Sequence, residues 1–202
     1  LETIGDCYIA VSNLVERQDT DHALRMAQFA LGILTACAET PVCLDRPDLG
    51  TVVMRCGFDT GPLVGAMVGT KHKKYTIFGN TVNTASRMES TCTAGRVQCT
   101  DVAAVTIRKQ SEACTERLVR LTPRGHVPIK GKGEMATFFV ERDDRSLSSS
   151  SLDAVPIPAP SSAELQPAVV NSSSLRRTKS AGQTILCEGR ERKGSLAGTA
   201  GH

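Results

Sequence analysis

The sequence contains no tryptophan, and its aromatic residues are five Phe and two Tyr among 202 residues. So few rings offer little surface for stacking bases, and a net charge of +3 is too small to favour a nucleic-acid partner. Charged residues or glycines interrupt every apolar stretch within about ten residues. We therefore predict neither a transmembrane helix nor membrane contact by this segment.

The eight cysteines show no metal-binding or disulfide pattern. No C-x-x-C pair occurs among them, and no histidine stands at ligand spacing from one. We interpret them as reduced thiols that pack as small core residues in a cytoplasmic protein. Because the chain begins with Leu1 rather than Met, we expect it to be cut from a longer protein, whose other segments can include a membrane anchor.

Composition divides the chain into a domain over residues 1–142 and a tail over residues 143–202. The tail has twelve serines and no aromatic residue. Such a segment buries too little apolar area to offset its ordering entropy, so it is predicted to be disordered. Its basic stretches Arg176–Ser180 and Arg192–Ser195 resemble kinase sites, and they are also typical of a plain solvated linker.

Within the domain, the hydrophobic pattern switches repeatedly between strand and helix periods. Apolar residues at helical spacing predict a helix over 21–38, and Gly79-Asn80 begins a second helix that ends near Ser90. A turn at Thr60-Gly61-Pro62 is predicted to separate two strands. Mixed elements of this kind indicate an α+β or α/β layer fold. The predicted strands are 7–12, 52–59, 63–69, 75–78, 96–100, 116–129 and 135–141, and a third helix is predicted over about 101–109.

Three segments stand out: ETIGD (2–6), YTIFGNTVNTASRMES (75–90) and IKGKGE (129–134), with RCGFDTGPLVGAMVG (55–69) between the first two. Taken singly, an Asp after Gly makes a turn and K-G-K-G makes a solvated loop. In this order the segments resemble the class III adenylyl and guanylyl cyclase catalytic domain. The resemblance implies a ferredoxin-like α+β fold, N-terminally truncated, because the family's earlier strand with an F-x-D-I pattern has no match here.

The resemblance also implies roles for individual residues. Asp6 matches one of two aspartates that bind two Mg²⁺ or Mn²⁺ ions, and the other aspartate belongs to the F-x-D-I strand. Asn83 matches the ribose-orienting residue, Arg87 the residue that meets charge at the α-phosphate, and Lys130 the lysine that binds the terminal phosphates. Asn83 and Arg87 are four residues apart, so one helix face carries both. Outside the family reading, Arg87 would pair with Glu89 or lie solvated.

Two positions bear on the purine. Guanine presents N1–H and N2–H₂, which one carboxylate can accept, and Glu2 matches the carboxylate of guanylyl members. Adenylyl members typically carry Lys there. Thr76 departs from the Cys of most guanylyl members and the Asp of many adenylyl members, and its hydroxyl can donate or accept. The sequence therefore favours GTP and cyclic GMP, with an adenylyl cyclase as the alternative.

The chain retains residues from both halves of a family site that forms between two domains. Asp6 belongs to the metal-binding set and Glu2, Thr76, Asn83, Arg87 and Lys130 to the substrate-binding set. This combination favours a head-to-tail homodimer with two equivalent sites. A non-catalytic regulatory or nucleotide-sensing domain is the alternative from another class. Without the first metal-binding aspartate, this chain alone is expected to be inactive, and the longer protein is expected to be active.

Overall fold

The computed structural model describes residues 2–4, 7–14, 19–113, 119–143 and 180–190, with backbone alone for the first and last ranges. The helices are α1 (His22–Glu39), α2 (Asn80–Ser90) and α3 (Asp101–Ala113). The strands are β1 (Glu2–Ile4), β2 (Cys7–Ser12), β3 (Val53–Val68), β4 (Lys74–Phe78), β5 (Val97–Thr100), β6 (Val119–Ile129), β7 (Gly133–Arg142) and β8 (Ser180–Arg190). In this part of the chain, no helix is both long and apolar enough to cross a membrane.

The strands form one sheet in the order β1-β2-β8-β3-β5-β7-β6, with β4 paired to the C-terminal half of β3. Every neighbouring pair is antiparallel except β3 and β5. Helices α1 and α3 cover one face of this sheet. The prediction of a mixed α+β layer fold is confirmed.

The core lies between the sheet and the pair α1–α3. Small residues on α1, such as Ala23, Ala27 and Ala30, let the helix approach the sheet closely, and all three are fully buried. Phe58 of β3 and Ile107 of α3 fill the space between them. The apolar face predicted for the first helix is thus the face that packs.

Three of the described cysteines pack as the small core residues that the sequence predicts. Cys56, Cys92 and Cys99 are buried, whereas Cys7, Cys37 and Cys43 are half-buried. Burial raises the pKa of the Cys92 thiol to about 11, which keeps it neutral at physiological pH.

Strand β3 corrects one local prediction. No turn occurs at Thr60-Gly61-Pro62, because β3 runs through these residues without interruption. Pro62 is tolerated since β5 pairs with β3 only over Cys56–Phe58 and β4 pairing begins at Val64. Among the described strands β8 alone pairs with β3 at Pro62, so the other side of β3 is an open edge there, the kind of position at which Pro is tolerated.

The structure also differs from the prediction of a disordered tail at one segment. Residues Ser180–Arg190 form β8, which lies inside the sheet between β2 and β3. Ser180, the last residue of one kinase-like stretch, is the first residue of this strand. Residues 144–179 and 191–202 lie outside the described residues.

Candidate functional site

Helix α2 is held against β3 at both of its ends. Near its first turn, the Thr81 hydroxyl donates a hydrogen bond to the carbonyl oxygen of Pro62 at 2.9 Å. Near its last turn, Arg55 Nε donates to Glu89 Oε1 at 2.9 Å. Any Cβ at Gly57 would overlap the backbone of Glu89. Glycine is therefore required where the helix crosses the strand.

This docking leaves one stripe of α2 in solvent. The exposed positions of the helix are Asn80, Asn83, Arg87 and Ser90, whereas Thr81, Thr84, Ala85, Met88 and Glu89 are buried. The placement agrees with the prediction that Asn83 and Arg87 share a face. Their roles remain predictions.

The alternative pairing of Arg87 with Glu89 is not formed. Glu89 is buried and its side chain accepts from Arg55 on the sheet side of the helix. Among the described residues no carboxylate pairs with Arg87. A guanidinium without a carboxylate partner on an exposed helix face is free to meet an anionic ligand.

Lys130 lies at the tip of the turn between β6 and β7 and is exposed. Gly131 and Gly133 adopt φ values of 78° and 72°, which side chains with a Cβ rarely adopt. The Lys132 backbone N–H closes the turn on the carbonyl oxygen of Ile129 at 3.0 Å. The K-G-K-G segment is therefore a tight turn with a lysine on either side of its first glycine.

Lys132 connects this turn to the helix. Its Nζ donates to Oδ1 of Asn80, the first residue of α2, at 2.6 Å. The contact joins two segments that lie 52 residues apart in sequence. The lysine turn and the exposed stripe of α2 consequently form one continuous basic and amide-rich surface.

Thr76 lies in β4, which pairs with β3, and Glu2 lies in β1, which pairs with β2. Thr76 is half-buried in β4, opposite Ala66 of β3. Four residues after Thr76 the chain enters α2 at Asn80, so the strand and the exposed stripe are directly connected. Glu2 is the first residue of β1 and pairs with Ile9 of β2. Its side chain is not among those described.

Asp6, the predicted metal ligand, lies outside the described residues. In the part of the chain with described side chains, no group of three or more His, Cys, Asp and Glu residues is placed to hold a metal ion. The contact of Lys132 with Asn80 brings the turn that carries Lys130 to the helix that carries Asn83 and Arg87. The role of Asp6 as a metal ligand stays a prediction.

Comparison with known proteins decides the family. Residues 1–142 match the model of the adenylate and guanylate cyclase catalytic domain. The chain belongs to this cyclase family. The cyclase fold predicted from the sequence motifs is likewise confirmed by solved relatives. The guanylate cyclase domain of RhGC from Catenaria anguillulae, solved in complex with GTP, is 29% identical with a TM-score of 0.55, and the match covers 65% of each chain.

The curated relatives include both guanylate and adenylate cyclases. The human guanylate cyclase soluble subunit beta-2 is 37% identical over 141 residues, which is 69% of this chain and 21% of that protein. An adenylate cyclase of Mycobacterium bovis is 36% identical over 140 residues, which is 69% of this chain and 29% of that protein. The cyclase domain described here thus spans less than a third of these curated relatives.

Two residues near the cyclase site were not predicted from the sequence. Lys132 was part of a recognised motif, but only the turn geometry shows that it reaches α2. Asp59 of β3 is buried and accepts a hydrogen bond from the Thr100 hydroxyl at 2.6 Å. Burial raises the pKa of its carboxyl group, while the Thr100 hydrogen bond and the charge of Lys132 oppose that rise. Asp59 lies in the segment 55–69 that contributes to the resemblance, but nothing in that segment marks it as buried.

Proposed function

We propose that this chain is the catalytic domain of a guanylate cyclase, which converts GTP to 3′,5′-cyclic GMP and pyrophosphate. The observation that carries the proposal is the surface formed by α2 and the lysine turn. Exposed Asn83 and Arg87 lie on the helix whose first residue accepts from Lys132 at 2.6 Å. Guanidinium, ammonium and amide groups on one surface suit a ribose triphosphate.

In this reaction the ribose 3′-oxygen attacks the α-phosphorus. A new O3′–P bond forms and the 3′-hydroxyl gives up its proton to water. The bond from the α-phosphorus to the bridging oxygen breaks, and its electron pair leaves with pyrophosphate. The protein has little covalent work to do, so positioning and charge stabilisation dominate. Asn83 would orient the ribose, Lys130 would hold the terminal phosphates, and Arg87 would stabilise the charge that develops around the α-phosphate.

The same family reading implies two Mg²⁺ or Mn²⁺ ions. Carboxylate oxygens are the ligands these hard cations prefer, so Asp6 has the right chemistry to bind one. When bound, such ions activate the hydroxyl nucleophile and neutralise the polyphosphate. We propose Asp6 as the ligand from this chain, and the roles of Asn83, Arg87 and Lys130 do not depend on it.

The purine preference follows from Glu2. A carboxylate accepts from guanine N1–H and N2–H₂, and it repels the N1 lone pair of adenine. Thr76 fits either base because its hydroxyl rotates. The RhGC domain solved with GTP and the human soluble guanylate cyclase subunit support this choice. The mycobacterial adenylate cyclase keeps cyclic AMP as the second candidate.

We further propose that the domain works as a head-to-tail homodimer. The arm formed by β4 and the C-terminal half of β3 carries large apolar side chains in solvent: Val64 at 54%, Met67 at 59%, Tyr75 at 49% and Phe78 at 49% exposure. Val64 and Phe78 are direct cross-strand partners. A patch of this kind on a monomer typically marks a protein interface.

A charge in this patch should break the dimer. We expect Val64→Glu to shift the protein to monomers in analytical ultracentrifugation and to lower turnover in parallel, because a buried unpaired carboxylate is costly at an interface. Val105→Glu is the matched control, since Val105 is 45% exposed on α3, away from the arm. If Val64→Glu stays dimeric, or both variants dissociate alike, the arm is not the interface.

The proposed activity is tested directly by turnover with GTP and with ATP, each with Mg²⁺ and with Mn²⁺. The assay uses this domain extended upstream through the strand that the resemblance places before Glu2. We expect cyclic GMP and pyrophosphate in equal amounts, with GTP the better substrate. Faster turnover of ATP would support the adenylate cyclase. Absence of both products from a folded dimer would favour the regulatory or nucleotide-sensing domain.

A further inference from the structure

The two lysines of the K-G-K-G segment lie in different surroundings. Lys130 is exposed and makes no hydrogen bond or ion pair within the described part of the chain. Lys132 is half-buried, and its Nζ donates to Asn80 Oδ1 at 2.6 Å. The sequence presents the two residues as equivalent cations, but the structure leaves Lys130 available to a ligand and engages Lys132 within the protein.

The turn that carries both lysines is the tip of a two-stranded ribbon. Strand β6 is an edge strand, and β5 pairs with β7 only over Thr137–Val140. Between that range and the turn, β6 and β7 pair only with each other among the described strands. A two-stranded hairpin is marginally stable by itself, so contacts outside the ladder are needed to set the position of its tip.

Two side-chain contacts tie this ribbon to α2, one at each end of the helix. Arg124 donates through Nη1 to the carbonyl oxygen of Thr91, the C-cap residue of α2, at 2.6 Å. Lys132 donates to Asn80, the first residue of the helix. The helix has eleven residues and is therefore about 16 Å long, so the two contacts lie far apart. Arg124 holds the part of the ribbon near the C-terminus of α2, and Lys132 fixes the tip.

A buried carboxylate favours the position of Lys132. The helix dipole opposes an ammonium beside the first turn of a helix, and the first turn of α2 has no acidic residue to offset this. Asp59 lies on the face of β3 that α2 covers, because a Cβ at Gly57 or at Gly61, two positions away on either side, would overlap atoms of α2. Burial raises the pKa of the Asp59 carboxyl, and the charge of Lys132 opposes that rise. The ionised carboxylate therefore attracts the Lys132 ammonium.

We propose that Lys132 is a positioning residue, which binds Asn80 and thereby fixes Lys130 relative to the exposed stripe of α2. This inference rests on the proposed function, since it takes Lys130 as the residue that binds the terminal phosphates. Lys132 itself does not touch the ligand, because its ammonium is bound to the helix. The competing model, in which both lysines bind phosphate directly, predicts a different coupling between Lys132 and Asn80.

A double-variant cycle with inorganic tripolyphosphate tests the proposal on the 202-residue chain. This probe has neither ribose nor base, so its binding does not depend on the purine preference. At about 0.15 M salt, where charges that are not in contact are screened, we expect Lys132→Met to weaken binding by about tenfold in calorimetry. Asn80→Ala should weaken it by the same factor. The double variant should be no weaker than either single variant, because both substitutions remove the same contact.

The cycle has outcomes that contradict the positioning role. If the losses of the two single variants multiply in the double variant, or Asn80→Ala binds like wild type, Lys132 meets the phosphates itself. Failure of the wild-type chain to bind tripolyphosphate would also overturn the proposal. Lys109→Met is the matched control, because Lys109 is exposed on α3, and it should keep wild-type affinity. If Lys132→Met does not fold, as judged by circular dichroism, the uncharged substitution Asn80→Ala decides alone.

Turnover of the upstream-extended domain separates this inference from the proposed function. In Lys132→Met we expect KM to rise by about tenfold for GTP and for ATP alike, with little change in kcat, because the terminal phosphates are common to both nucleotides. A changed ratio of kcat/KM between the two purines would place Lys132 at the base and contradict its positioning role. If the wild-type domain makes no cyclic nucleotide, the guanylate cyclase proposal fails, whereas the tripolyphosphate cycle still decides what Lys132 does.

Discussion

Replacing Arg87 with alanine in the upstream-extended domain should lower kcat far more than it raises KM. Arg87 is exposed on α2, and no carboxylate among the described residues pairs with it. Its positive charge can therefore stabilise the negative charge that develops around the α-phosphate in the transition state. One such donor contributes on the order of 3 kcal/mol, which corresponds to about a hundredfold in kcat.

Steady-state kinetics of Arg87→Ala beside Arg25→Ala provides the measurement. Arg25 lies on α1, and its side chain is 62% exposed in an ion pair with Asp21. Loss of such a surface pair costs little, so Arg25→Ala should keep wild-type kcat and KM. A rise in KM with kcat intact in Arg87→Ala would make Arg87 a ground-state contact instead.

The sequence predicts best those site residues that lie in one continuous segment of the chain. Residues 75–90 encode β4, the Gly79 break and α2 in order, and the helix period alone places Asn83 and Arg87 on one face. Local pattern and observed structure agree there because the determining contacts are themselves local. The same reasoning predicted β2 with its observed bounds.

Prediction failed where the determining contact is remote. The run TILC in β8 is short and lacks alternation, and it stands in a segment whose composition is typical of disorder. Its partners, β2 and β3, precede it by more than a hundred residues, and no local signal identifies them. The bridge from Lys132 to Asn80 is hidden for the same reason, since it depends on how a turn and a helix meet in space.

The second large effect is expected at the purine. Replacing Glu2 with lysine should erode the use of GTP, because the carboxylate that accepts from N1–H and N2–H₂ becomes a group that only donates. Guanine donors buried without acceptors cost about 1 to 3 kcal/mol each. Adenine N1 would gain a donor, and the hydroxyl of half-buried Thr76 can rotate to accept from N6–H₂. Preference should therefore move toward ATP without a second substitution.

Position 76 provides an internal check on that reasoning. In a Glu2→Lys, Thr76→Cys double variant, the weaker acceptor at residue 76 should hold back the gain in ATP use, while GTP use remains poor. The single variant should thus prefer ATP more strongly than the double variant. Equal preferences would mean that Thr76 does not contact the base.

The quantity to compare is kcat/KM for GTP divided by kcat/KM for ATP, in wild type, Glu2→Lys and a control, Glu39→Lys. Glu39 is the exposed last residue of α1, so its replacement makes the same change of charge away from the site. The control should leave the ratio at its wild-type value, because an exposed distant charge is screened by salt. A wild-type ratio below one, or a ratio that Glu2→Lys leaves unmoved, would show that Glu2 does not read the base. The Mycobacterium bovis adenylate cyclase would then be the better guide to the product of this domain.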